Sequence, residues 1–258
     1  MLRLNGMKKF GKGIASFLGP KIFRSVHDLL HDMADYILPR NCLICGRRLS
    51  SAEEFVCSVC FLYKPFNPLF HDNRDNYLSK LFYGAIPIEK AQAIMRFRPN
   101  TDMANIIYSL KYNNNPDVGV FLGRVAAKIL SDSNFFDGID YIVPMPLTKK
   151  RRSWRGYNQC ERIANGVSEV TGIPVDTHCV SRMSFHCSQT HLDYIQRQDN
   201  VQNNFKASNT SALEGKHILI IDDIVTTGAT VKSCGREIAR VVPNIRISVL
   251  AMGFASAL

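Results

Sequence analysis

The sequence has no apolar run approaching the roughly 18 residues that a membrane-crossing helix needs, so its composition gives no sign of a helical span. It is also short of acid. Only 22 aspartates and glutamates stand against 32 lysines and arginines, a formal net charge of +10. That balance predicts attraction to polyanions: phosphorylated substrates, nucleic acid or an anionic membrane surface. Its first residues do not read as a secretory leader either. Lys8, Lys9 and Lys12 precede Ile14 to Leu18, but this apolar stretch is too short and too interrupted for a signal peptide. These absences predict a cytoplasmic protein, in which the eight cysteines serve metal binding better than disulfides. What is present is ordinary: 258 residues, 46% hydrophobic and 21% charged, enough for one sizeable α/β domain with a small appendage.

The most informative stretch follows the apolar run Ile218 to Ile221, whose length and lack of polar alternation suit a strand buried on both faces. Two adjacent carboxylates, Asp222 and Asp223, stand at its carboxyl end. Thr226, Thr227, Gly228, Ala229 and Thr230 come next, small residues that let backbone N–H groups and hydroxyls close around an anion. A helix is predicted beyond them, with Val231, Cys234, Ile238, Val241 and Val242 on one stripe until Pro243 stops it. The loop therefore lies at a helix amino terminus, which favours a phosphate. Acids beside a phosphate cradle make sense for a ligand carrying a phosphate at one end and vicinal hydroxyls nearby, because carboxylates accept hydrogen bonds from hydroxyls. A ribose 5-phosphate has that form.

Cys42-Leu43-Ile44-Cys45 and Cys57-Ser58-Val59-Cys60 are two C-x-x-C pairs separated by eleven residues. Two such knuckles complete a closed four-sulfur site, for which zinc is the natural occupant and a structural role follows from the lack of an open position. Gly46 suits the turn of the first knuckle. Residues 1–23 read as a basic tail, either a solvated arm or a contact for nucleic acid or lipid. Val26, Leu29, Leu30, Met33 and Ile37 recur at helical spacing up to Pro39. The expected organisation is thus a tail at 1–23, a helix with metal module and linker at 24–76, and a main domain at 77–258. His71 in the linker reads as a surface residue.

In the main domain the predicted elements alternate. Ile86 to Phe97 supplies one or two strands. Thr101 caps a first helix and Asn115-Pro116 opens a second. Strands near Ile139 to Val143, Val175, Ile218 to Ile221 and Ile245 to Met252 alternate with helices at Cys160 to Val170 and after the acidic loop. This pattern implies a parallel sheet covered by helices, with ligands off the carboxyl ends of the strands. Lys149, Lys150, Arg151, Arg152 and Arg155 put five cations within seven residues at that edge, and Asn158 with Glu161 forms a capping pair for the next helix. The cations suit a diphosphate; the rival reading, with Trp154 and Tyr157 interleaved, is a nucleic-acid patch, and a solvated charge run is the plainer alternative. Residues 182–205, containing Gln189, Arg197 and Asn200, read as a cover over the site. Cys179, His186, Cys187 and His191 have no spacing that makes a second metal site.

The acidic loop resembles the phosphoribosyl-pyrophosphate (PRPP) signature of type I phosphoribosyltransferases. Together with the double C-x-x-C module, Leu110-Lys111-Tyr112, Pro144-Met145-Pro146, Arg155-Gly156-Tyr157-Asn158-Gln159 and the Gln189, Arg197, Asn200, Val201 and Phe205 pattern, it makes residues 24–254 similar to the ComF family (ComFC/GntX-like) of phosphoribosyltransferase-like competence proteins. The resemblance implies that Asp222 and Asp223 hold the ribose hydroxyls and Thr226 to Thr230 the 5′-phosphate. PRPP would come with magnesium, and the diphosphate would meet Lys150, Arg155 and Gly156, with Asp222, Asp223 and Arg155 closest to any catalysis. It further implies a part in DNA uptake through single-stranded DNA, beside a helicase-like motor. The alternative is an active magnesium-dependent transferase passing ribose 5-phosphate to an unidentified acceptor. One departure bears on this. Thr226 stands where purine-salvage enzymes of the type carry an acid proposed as general base, a task threonine cannot perform at neutral pH. No base-specificity pocket is apparent either, so hypoxanthine or guanine salvage is disfavoured.

Overall fold

The computed structural model describes residues 39–63, 66–183 and 204–255. The expected tail, the helix at 24–37 and the covering residues Gln189, Arg197 and Asn200 lie outside the described residues, as do His186, Cys187 and His191. The chain divides into two compact units between Cys60 and Phe61. A short helix α1 (Ser58–Tyr63) runs across that point.

The second unit carries, in order, α2 (Tyr77–Lys80), β1 (Ile88–Arg96), α3 (Asp102–Tyr112), α4 (Asp117–Leu130), β2 (Tyr141–Pro144), α5 (Lys149–Arg155) and α6 (Gln159–Thr171). A small antiparallel pair, β3 (Val180–Arg182) and β4 (Phe205–Ala207), precedes β5 (His217–Val225), α7 (Ala229–Val241) and β6 (Arg246–Phe254). The main sheet runs β1-β6-β5-β2 with every pairing parallel. Ile218 to Ile221 in β5 are fully buried, as a strand covered on both faces requires. The strand expected near Val175 is a single parallel bridge to Ile142, on the edge of β2 away from β5. The crossover after β2 therefore leads outward, whereas the crossover after β5 leads back to β6. Their loops diverge between β2 and β5, which makes that gap a topological switch point, where open α/β sheets bind ligands.

Several expectations need correction. The stretch read as a linker is hydrogen-bonded over residues 66–76: Asn67 N and Leu69 N donate to Ile94 and Ala93 carbonyls, and Ala91 N donates to Asn73 O, so the segment lies along β1. Buried Gln92 fastens it, donating to Phe70 O at 2.7 Å and accepting from Phe70 N at 3.1 Å. His71 is exposed, as expected. Thr101 flanks α3 without capping it, because its hydroxyl donates to Arg98 O instead. Val241 leaves the α7 stripe and is 37% exposed, since the buried face follows Val231, Cys234, Ile238 and Val242. Buried Lys90 ties β1 to the turn after α4 by donating to the carbonyls of Asn134, Phe135 and Asp137 at 2.7, 3.1 and 3.0 Å.

Helices α4 and α6 cross at backbone contact. A Cβ on Gly166 would lie 2.0 Å from Val120 O, and one on Gly123 would lie 2.1 Å from Ile163 O. Neither neighbour is a movable side-chain tip. Gly166→Ala is expected to force the helices apart and cost about 3 kcal/mol or more. In a domain of this size that lowers the thermal midpoint by roughly 10 °C. Calorimetry of the variant checks this, and an unchanged midpoint would contradict the close crossing.

Candidate functional site

β5 extends beyond the apolar run, so Asp222 and Asp223 lie within its last residues rather than after it. Asp222 is half-buried and Asp223 is buried. Their carboxylates converge at the strand end, with oxygens of the two and the Cys160 Sγ all within 4.8 Å of one another, yet each carboxylate has its own partners. Lys111 Nζ, in the last turn of α3, lies 2.9 Å from Asp223 Oδ1. Gln159 Nε2, at the start of α6, donates to Asp223 Oδ2 at 2.7 Å. Asp222 Oδ1 accepts from Asp223 N at 2.9 Å and from the Cys160 thiol at 3.7 Å. Burial and the two nearby carboxylates push the Cys160 thiol well up, so it stays protonated and serves as a donor. Burial, reinforced by the charge of Asp223, pushes Asp222 up to about 7.

A cavity of about 380 Å³ opens over these acids. Its floor is negative and its walls are cationic, with Lys111, Arg151, Arg155 and Arg182 among the lining residues. Arg155 donates through its Nη1 to Gln159 Oε1 and sits over the Tyr112 ring, 5.8 Å from the centroid. Its Nε is buried without a hydrogen-bond partner among the described residues. A buried donor of this kind is costly until an acceptor reaches it, and the oxygen of a bound anion would do so.

The basic stretch after β2 forms the helix α5, which the sequence reading does not contain. Thr148 caps it by accepting from Arg151 N at 3.3 Å, and Gly156 ends it at φ 81°. Asn158 then caps α6 through Cys160 N while donating to Met145 O at 3.0 Å, which holds the start of α6 against the loop leaving β2. Glu161 does not complete the capping box; it pairs with Arg152 at 2.6 Å. Of the residues anticipated from sequence, Asp222, Asp223, Arg151, Trp154, Arg155 and Thr230 line the cavity. Lys150 is exposed on α5, and Gly156 forms the turn that follows it, outside the wall. Thr226, Thr227, Gly228 and Ala229 lie at the same strand end without lining it. Gly228 caps α7 with no side chain at φ 73°, and Thr227 Oγ1 accepts from Ala229 N at 3.4 Å. A Cβ at Gly228 would meet Phe82 Cε1 at 2.8 Å, so both the backbone angle and the packing require glycine.

Sequence reasoning assigned no individual role to Lys111, Gln159 or Cys160, and placed Arg182 only at the start of the expected cover. The available signal was the Leu110-Lys111-Tyr112 stretch, but a lysine in a last helical turn has an ordinary explanation in the helix dipole. Residues β3 and β4 bring Arg182 to the wall from far along the chain.

In the first unit, the Sγ atoms of Cys42, Cys45, Cys57 and Cys60 all lie within 4.8 Å of one another, with Cys45 alone exposed, and this cluster can hold a metal ion. The knuckle closes through Gly46 N donating to Cys42 O, with Gly46 at φ 74°. Burial acts to raise the Cys42 thiol, but backbone N–H groups of Cys45, Cys57 and Ile44 overcome it and draw it down to about 7. Burial pushes the Cys60 thiol up.

The acid pair has a pH signature. An unfolded aspartate ionises near about 3.9, while folded Asp222 keeps its proton to about 7. Between these values the folded protein binds the extra proton, so its ligand-free stability is expected to fall as pH rises through the window and to level off above it. Asp222→Asn should flatten that slope. Urea unfolding across the window measures it, and a wild-type slope that the variant leaves unchanged would remove Asp222 as its source.

The description "Phosphoribosyl transferase domain" matches residues 162–257. The chain is 25% identical over 213 residues to the DNA utilization protein YhgH of Salmonella typhi, covering 79% of this chain and 92% of that protein. It is 27% identical over 204 residues to the competence protein ComFC of Bacillus subtilis, covering 76% and 70%. Among solved structures, 55% of the chain aligns with 30% of the glutamine PRPP amidotransferase of B. subtilis, at 16% identity and a TM-score of 0.38. Relatives named for DNA utilization and competence thus align with about three quarters of the chain, and its last third matches the transferase domain; these similarities support the resemblance to the ComF family of phosphoribosyltransferase-like proteins.

Proposed function

We propose that the cavity binds PRPP with magnesium and that the protein uses this site in handling single-stranded DNA during DNA uptake. The observation that carries the ligand assignment is the charge order of the cavity: paired carboxylates below, cations around, and a buried Arg155 Nε awaiting an acceptor. In this reading Asp222 and Asp223 accept from the ribose 2′- and 3′-hydroxyls. The first-turn N–H groups of α7 and the hydroxyls of Thr226, Thr227 and Thr230 receive the 5′-phosphate, with Gly228 and Ala229 keeping the approach clear. Arg155 takes the diphosphate, Gly156 turns the chain so that Arg155 faces inward, and Lys150 adds charge from outside the wall. Magnesium would neutralise diphosphate charge, and the hard oxygens of Asp222 and Asp223 suit it where the Cys160 thiol does not. The DNA assignment is supported by the names of the relatives and by the net charge of +10. A helicase-like motor is the partner class this reading implies. No helix among the described residues is long and apolar enough to cross a membrane.

Transfer to an acceptor is the second reading. It requires the C1–oxygen bond of PRPP to break with its electron pair leaving on pyrophosphate, while an acceptor lone pair forms the new bond to C1. Thr226 is exposed and offers no base for that acceptor, which favours binding over turnover. Calorimetric titration tests the site. Mg–PRPP is expected to bind the wild type, and Asp222→Asn/Asp223→Asn to weaken it at least about 100-fold, the loss of two charge-assisted contacts. Equal binding by the double variant would sink the assignment, and pyrophosphate release with a screened acceptor would favour transfer.

For the first unit we propose structural zinc. A tetrahedral Zn–S bond of about 2.3 Å implies sulfur–sulfur edges of roughly 3.8 Å, and Cys45 Sγ lies 3.7 Å from Cys57 Sγ. Metal analysis is expected to find about one zinc per chain, and chelation to unfold residues around the knuckles. A folded first unit with no bound metal would contradict the site.

A further inference from the structure

Four aromatic rings form a row that none of the ligand contacts above uses. It starts at Phe97, just past the carboxyl end of β1, and continues along α3 through Tyr108 and Tyr112 to Trp154 on α5. Successive centroids are 6.2, 6.3 and 6.3 Å apart. The rings meet edge-to-face or tilted, at 90°, 44° and 65°, and do not stack face to face on one another; Phe97 and Tyr108 are half-buried. Apolar surface of this size is normally covered, yet Tyr112 is 61% and Trp154 is 70% exposed. The row runs beside cations throughout. Arg96 and Arg98 flank Phe97 in the chain and are exposed, Arg155 lies over Tyr112, and Lys149, Lys150 and Arg151 are exposed on the helix that carries Trp154.

We infer that this row is a stacking track for a single strand of nucleic acid, with its inner end at the mouth of the acid-floored cavity. The argument is chemical complementarity. Ring faces at regular intervals accept unpaired bases of any sequence, while adjacent cations follow the phosphates. A duplex offers no unpaired base faces, and an apolar protein partner would not need the cations. The inner end is fixed by shared residues, because Tyr112 and Trp154 belong to the track and also line the cavity. Tyr112 directly follows Lys111, whose ammonium rests on Asp223. A ligand that takes over Asp223 therefore acts on the turn that holds Tyr112, and strand and ligand affinities become linked reciprocally. This inference rests on the nucleic-acid half of the proposed function and supplies the surface that half lacks.

The chain has one tryptophan, and it stands in the track. Its emission therefore reports base stacking directly. The experiment titrates full-length protein with oligothymidine at low and moderate salt, following Trp154 emission and, separately, the anisotropy of an end-labelled oligonucleotide. Emission is expected to be quenched in step with the anisotropy rise. Tyr112→Ala and Trp154→Ala should each weaken binding by about 5- to 100-fold, the loss of one stacked base. Tyr83→Ala removes a ring outside the row that is itself 51% exposed and should leave affinity unchanged. Added Mg–PRPP should shift the affinity of wild type but not of Tyr112→Ala. If the oligonucleotide binds with steady emission and Tyr112→Ala matches Tyr83→Ala, the track is overturned while DNA handling stands. If a duplex of the same length binds as tightly, the surface is a phosphate patch and the track is again overturned. If no oligonucleotide binds even at low salt, the DNA reading itself fails and takes the track with it.

Discussion

Two carboxylates side by side at the end of a buried strand repel each other and lose much of their hydration, a combination that proteins sustain only with partners arranged around it. Here those partners arrive from separate elements. α3 brings the ammonium of Lys111, and the first turn of α6 brings the amide of Gln159 and the thiol of Cys160. The acid pair thus acts as the meeting point of a central strand and two helices that are distant in sequence. Arg155 joins at one remove by holding Gln159. Loss of the pair would leave Lys111 and Gln159 with donors facing an emptied floor, so the local fold depends on the acids.

In the proposed binding mode the same arrangement would divide the labour of recognition. Hydroxyls would find acceptors below and phosphoryl oxygens cations at the sides, so a polyol without phosphate or a phosphate without hydroxyls would satisfy only half of the cavity. Near neutral pH Asp222 stands close to its own titration, so a ligand offering hydrogen-bond donors also draws it into the ionised form. Binding and proton release are coupled for that reason.

Much of this edge was legible in the sequence because its signals are local. An apolar run followed by acids and small residues can be read within a dozen positions, and β5, the Gly228 cap and α7 follow that reading. The parallel sheet was legible from alternation, and the cysteine cluster from spacing. What could not be read was tertiary in origin. Gln92 turns a segment rich in turn residues into a partner of β1, since one buried amide supplies the hydrogen bonds that a regular strand would have made. Lys149 to Arg155 looks like an open cationic loop because like charges disfavour a helix, but a threonine cap and a glycine stop enclose a short one. Lys111 could not be assigned until folding set it against Asp223, more than one hundred positions along the chain.

The glycine crossing of α4 and α6 has a bearing on the site that neither helix reveals alone. Where two helices meet through side chains, a rotamer change or a small substitution can slide one against the other. Backbone meeting backbone offers no such adjustment. α6 is the helix whose first turn presents Asn158, Gln159 and Cys160, so these three are mounted on a fixed datum. Any reshaping of the cavity to admit a different ligand, whether by natural drift or by engineering, must then fall on the walls supplied by α3, α5 and β3. The floor stays at one height, and variation in what the cavity accepts becomes variation in its rim.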